Sequence, residues 1–102
     1  MKRRYVVCFD SLDVNQSKSI TTLLKEKQLG WWHWIDNVWF ITDSSGRFSA
    51  SKIRDLLKPV APNDRMVVLE INEQDDTWAG VRANDPENKM FTWFKETWNK
   101  NK

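Results

Sequence analysis

Tyr5-Val6-Val7-Cys8-Phe9-Asp10 is the stretch whose reading decides the fold. It is the longest apolar run in the N-terminal half, and it stops at a carboxylate. Its β-branched and aromatic side chains predict a strand, and its near-continuous apolarity predicts one covered on both faces. Asp10 then stands at the C-terminal mouth of that strand, a position where α/β folds often carry functional groups.

Working outward, Ser11–Asn15 reads as a polar loop anchored by Leu12 and Val14. Asn15 or Ser17 can cap a helix running to about Gln28, with Ile20, Leu23 and Leu24 on its buried stripe. Gly30 suits the left-handed conformation of a helix stop. In Trp31–Thr42, the pair Asp36-Asn37 divides two aromatic and β-branched arms and predicts a hairpin. Alternation puts Trp32 and Trp34 on one face of the first arm and Trp31, His33 and Ile35 on the other. On the second arm, Val38, Phe40 and Thr42 oppose Trp39 and Ile41.

Asp43–Arg47 is a loop, and Ser49 or Ser51 caps a second helix whose apolar face is Ile53, Leu56 and Leu57. Pro59 ends it. Met66–Ile71 is nearly as apolar as the first strand, so both are expected to be central. The order β-α-β-β-α-β predicts an α+β fold, a ferredoxin-like plait with a four-stranded antiparallel sheet. We read residues 1–102 as a single domain, with 73–102 as a C-terminal extension. Trp78–Val81 is a short fifth strand or an extended arm. Asp85-Pro86-Glu87 is a helix start, and Met90, Phe91, Phe94 and Trp98 follow at helical spacing. That last helix either covers the open sheet face or crosses to a second subunit.

The totals narrow the class. With 40% hydrophobic and 29% charged residues among 102, the chain is a folded domain rather than a disordered one. A domain of this size buries only roughly 60–70% of its unfolded surface, so dimerisation would add useful apolar burial. Seven Trp exceed what such a core needs and point to an interface or ligand surface. A net charge of +2 is too balanced to imply nucleic-acid binding by itself. Cys8 is the one cysteine, which excludes an internal disulfide. The lack of a secretory h-region or an 18-residue apolar span excludes a membrane role and suggests a cytoplasmic protein.

Three sets of residues could carry function. Asp10, with Asp13 nearby, is the catalytic candidate. Repeated by symmetry in a dimer, Asp10 is also a metal-ligand candidate for hydrated Mg²⁺, though no cofactor is required by the sequence. His33 is the one histidine, and nothing pairs it with a nucleophile. For nucleic acid, Arg3, Arg4, Arg47, Lys52 and Arg54 can neutralise phosphates while Trp31 stacks a base. Trp32, Trp34, Trp39, Phe94 and Trp98 are candidates for a homodimer seam. P-loop, zinc-cysteine, Rossmann and serine-elbow motifs are all lacking.

At Tyr5–Asp10, Leu29-Gly30-Trp31-Trp32-His33, Leu56-Leu57-Lys58-Pro59, Asp64–Leu69 and Trp78-Ala79-Gly80, the chain resembles small SinR-like proteins. That group is similar to the small CRISPR adaptation scaffold and endoribonuclease family. The resemblance implies a ferredoxin-like plait, paired subunits that bind double-stranded DNA, and in some members metal-dependent nuclease activity. The family's strand-terminal Asp corresponds to Asp10. The chain departs from the pattern at Phe9, where Tyr is usual, and in Ser11–Gln16, where basic residues are usual. The reading is therefore a homodimeric, nucleic-acid-binding interaction module without robust catalysis. The alternatives are a Mg²⁺-dependent endonuclease centred on Asp10, or a phage or mobile-element inhibitor that binds a host protein.

Overall fold

A computed structural model describes residues 2–72, 78–80 and 89–99. In chain order these form β1 (Arg3–Phe9), α1 (Val14–Glu26), β2 (Gly30–Ile35), β3 (Val38–Asp43), α2 (Ala50–Leu57) and β4 (Met66–Glu70). A 3-10 turn at Lys58–Val60 follows α2. The last helix, α3 (Lys89–Trp93), continues as π-helical turns through Phe94–Trp98. The sheet order is β2-β3-β1-β4 with every pairing antiparallel, which is the ferredoxin-like arrangement with an added C-terminal helix. The expected start at Asp85-Pro86-Glu87, the acidic stretch 73–77 and Val81 lie outside the described residues.

β1 is central, as its composition demands. Its alternate residues Tyr5, Val7 and Phe9 point into a core closed by α1 and α2, where Ile20, Leu24, Ile53 and Leu57 meet Trp39 and Ile41. Val6 points the other way, into a second core made by Met90, Phe94 and Trp98 against Trp32, Trp34 and Phe40. The final helix thus lies on the open face of its own sheet. Met90, Phe94 and Trp98 are four residues apart, and the wider π turn keeps the last two aligned over the sheet.

β4 departs from expectation. Among the described residues it pairs with β1 alone and is an edge strand, not a central one. Its side chains alternate: Met66 and Val68 pack on the helix-side core, while Val67 and Leu69 remain 50% and 53% exposed on the other face. A continuous apolar run implies burial on both faces; here one of its faces is half open.

Local details also differ. Asp13 caps α1, its carboxylate accepting from Gln16 N–H while the Gln16 side chain accepts from Asp13 N–H. Asn15 and Ser17 lie inside the helix rather than at its start. The left-handed residue after α1 is Gln28, with φ 59°, not Gly30. Gly30 instead begins β2, where a Cβ would collide with Thr42 Oγ1 of the neighbouring strand. Ser49 caps α2 by accepting from Lys52 N–H, and Asn37 takes φ 68° in the β2–β3 turn.

Candidate nucleic-acid interface

Sheet polarity sorts the charged residues. Arg3 pairs with Asp43 at the end where β1 begins and β3 finishes, and the loop to α2 continues from there. Asp43 is 2% exposed and organises this loop. Its carboxylate accepts from Ser45 N–H and Oγ–H and from Phe48 N–H at 2.8 Å. Burial pushes the Asp43 carboxyl up, but the Ser45 hydroxyl and the Phe48 and Ser45 amides outweigh it and hold the group below its ordinary value. Tyr5 donates its hydroxyl to Phe48 O at 2.7 Å, so the strand and the loop are tied together.

The loop so fixed presents cations. Arg47, Phe48 and Lys52 line an open cleft of about 380 Å³ with Glu26, Lys27 and Gln28 from the end of α1. Arg47 Nε donates to Ser45 Oγ at 3.1 Å, and Lys52 Nζ reaches Arg47 O at 3.4 Å. Both residues are exposed, and these bonds leave further donor capacity on each head group. Arg3 is more committed. It grips Glu70 with two bonds of 2.9 and 2.7 Å, which raise the guanidinium and hold the Glu70 carboxyl low.

The other cations read as ligand contacts divide. Arg4 is 1% exposed, with its guanidinium 5.5 Å from the Trp98 ring, so it stabilises the second core and cannot meet a phosphate without rearrangement. Arg54 is exposed and paired with Asp55 at 3.0 Å. Trp31 is half-buried, packed 5.7 Å from Trp39 and against the helix-side core.

Acid-base behaviour follows from the same end of the sheet. Asp43 and Glu70 have depressed folded values, so their stabilisation is present at neutral pH and is lost as pH falls below about 4. Burial, then the nearby Glu70 charge, pushes the Tyr5 hydroxyl up to about 12. Its proton is held more tightly in the fold, so stability declines as pH rises from about 10 towards 12. Urea midpoints across pH should therefore form a plateau with falling limbs on both sides. Asp43→Asn should flatten the acid limb and cost about 1–3 kcal/mol at neutral pH by leaving loop donors poorly satisfied. An unchanged acid limb would refute that assignment.

Asp10 is at the opposite end of β1, roughly 20 Å from Arg3 by strand geometry. It is exposed, with Arg65 Nη1 3.7 Å from its carboxylate. Asp13 is the α1 cap, and the Asp64 carboxylate accepts from Ser11 N–H. Among the described residues, no group of three or more His, Cys, Asp or Glu is arranged to hold a metal ion. His33 hydrogen-bonds Val38 O through Nδ1 at 2.9 Å and stacks on Trp39 at 3.9 Å, which makes it a packing residue. The catalytic candidates and the cationic cleft are not one site.

The five residues read as a dimer seam are largely used within the chain. Trp39 is wholly buried in the helix-side core. Phe94 and Trp98 are 5% and 4% exposed, and Trp34 stacks on Phe40 at 4.8 Å. Trp32 lies 6.2 Å from Trp93 of the last helix. What remains open on this face is an apolar cavity of about 520 Å³ beside Ile35, Ile71 and Trp78, with Val67 and Leu69 further along β4. Lys27 and Phe48 were missed as site residues because only tertiary packing brings the end of α1 to the start of α2. Their signal in the sequence was faint: a cation just past a helix and an aromatic just before one. Among the described residues, no helix is long and apolar enough to cross a membrane. Comparison with family models, curated proteins and solved structures finds no match to this chain.

Proposed function

We propose that this protein is a self-associating interaction module that binds nucleic acid through its cationic cleft, without robust catalysis. The observation that carries the reading is the meeting of Arg47, Lys52 and Lys27 around Phe48 at one open cleft. Cations that neutralise phosphates beside an aromatic face are the ingredients of single-strand binding. The resemblance to small SinR-like proteins supports the same ligand class and the paired subunits. Asp10 contributes little to this reading, since it stands at the other end of the sheet with a cation for its neighbour.

Binding of single- and double-stranded RNA and DNA, followed from low to moderate salt, tests the proposal. Affinity is expected to fall as salt rises, and Arg47→Ala/Lys52→Ala should weaken binding and reduce the logarithmic salt slope by about 2. Asp10→Ala should leave both quantities unchanged. Failure to bind any of the four substrates at low salt would end the proposal. Mg²⁺-dependent cleavage abolished by Asp10→Ala would favour the nuclease alternative instead.

A further inference from the structure

We infer that the cationic cleft selects an unpaired guanine from a single strand, with Glu26 and Gln28 reading the base. The inference rests on the nucleic-acid reading above and names the ligand which that reading leaves open. One anion stands among the cations. Glu26 lines the same cleft as Lys27, Arg47 and Lys52, where its carboxylate opposes any bare phosphate. Among the described residues no ion pair neutralises it. Arg47 Nε is engaged by Ser45 Oγ, and Lys52 Nζ by Arg47 O.

Gln28 adds a second, independent observation. It takes φ 59° just after the cap of α1, the position that glycine most often fills. Gln28 N–H bonds Lys25 O and Leu29 N–H bonds Leu24 O, both at 3.0 Å, which is the Schellman way of closing a helix. A side chain on left-handed backbone is strained, and that strain points to a use for the side chain itself. Gln28 is exposed and lines the cleft two residues from Glu26. The closed turn fixes where both residues leave the main chain.

A carboxylate offers two acceptors side by side, and a primary amide offers a donor beside an acceptor. On its Watson–Crick edge only guanine presents two adjacent N–H donors, at N1 and N2, next to the O6 acceptor. Adenine and cytosine set a ring-nitrogen lone pair beside their amino group, and uracil sets one N–H between two carbonyls. Each of those would face a carboxylate oxygen with a lone pair. In the guanine pairing Glu26 accepts from N1–H and N2–H while the Gln28 amide donates to O6. That edge is open only in an unpaired base. Phe48 supplies a fixed wall for the ring, since its N–H bonds Asp43 Oδ2 and its carbonyl accepts from Tyr5. At about 380 Å³ the cleft is near the small end of the roughly 300–1,000 Å³ range of ligand sites, room for one nucleotide and not for a duplex.

Fluorescence anisotropy at low salt tests this with labelled oligouridine strands whose central base is guanine, adenine, cytosine or uracil. The guanine strand should bind about 5- to 150-fold tighter than the others, the range of one good bidentate base contact. Annealing it to a complementary strand should abolish that advantage. Glu26→Gln should bring the guanine strand down to the level of the others, which themselves gain affinity as an anion leaves the cleft. Gln28→Gly should weaken the guanine preference severalfold while raising the urea midpoint, because glycine suits φ 59°. A residue with only a structural role would not lose recognition as stability rises. GMP should compete more weakly than the strand, lacking its flanking phosphates; equal strength overturns the strand as the ligand in favour of the mononucleotide. Equal binding of all the strands overturns guanine selection and leaves the cleft reading standing, whereas binding of none overturns both. A guanine preference that survives Glu26→Gln overturns the assignment to this carboxylate.

Discussion

Trp39→Ala is expected to lower the unfolding free energy by about 3–5 kcal/mol, the usual cost of emptying a buried aromatic site. The ring is wholly inaccessible, with Trp31 at 5.7 Å and His33 stacked at 3.9 Å, so several neighbours lose contacts at once. Small domains hold only about 5–15 kcal/mol in total, which leaves this variant near the limit of folding. One term works the other way. The Trp39 indole N–H is buried without a hydrogen-bond partner, a burden of about 1–3 kcal/mol that alanine removes along with the ring. Trp39→Phe separates the two effects, keeping much of the volume while deleting the orphan donor, and should cost less than half as much as alanine. Chemical denaturation of the three proteins measures both differences. Equal losses for Phe and Ala would show that ring volume is not what the site needs.

Trp98→Ala should act on a different part of the molecule with similar local force, about 3–5 kcal/mol. Trp98 meets Phe40 edge-on at 5.4 Å, Phe94 at 5.6 Å and Arg4 through its ring face. Its loss removes the cover over a buried guanidinium as well as a large apolar contact. The expected result is release of the last helix rather than collapse of the sheet. Amides of Met90–Trp98 should lose protection in hydrogen exchange, while those of β1 and β3 keep theirs. Lys2 makes this sharper: its Nζ donates to Thr97 O at 2.6 Å and Asn99 O at 3.2 Å, neutralising the carbonyl end of that helix. Uniform loss of protection across both cores would mean that the two faces of the sheet unfold as one unit.

The element order was legible because the strands differ from the helices in residue type, length and spacing. Tyr5–Phe9 is a short β-branched and aromatic run that marks a strand by residue type and length, and Ile20, Leu23 and Leu24 repeat at helical spacing. The position of β4 was not legible. Apolar residues on both faces of Met66–Glu70 resemble those of a central strand, and only the three-dimensional order reveals that Val67 and Leu69 are half exposed. Trp residues were the least readable. Trp39 serves one core, Trp32, Trp34 and Trp98 the other, and no local pattern separates packing from contact with a partner. The cationic cleft was half legible: Arg47 and Lys52 were named, but Lys27 joins them only because α1 ends beside the loop before α2.

The central place of β1 has a consequence for synthesis. Its two neighbours are β3, complete at Asp43, and β4, complete at Glu70. A chain growing at roughly 5–20 residues per second therefore carries its most apolar N-terminal segment for several seconds before the second neighbour exists. The cover over its other face arrives later still, with Phe94 and Trp98. Slowing elongation over the segment before β4 should prolong this exposed interval and raise the insoluble fraction, an effect that coexpressed chaperones should reverse.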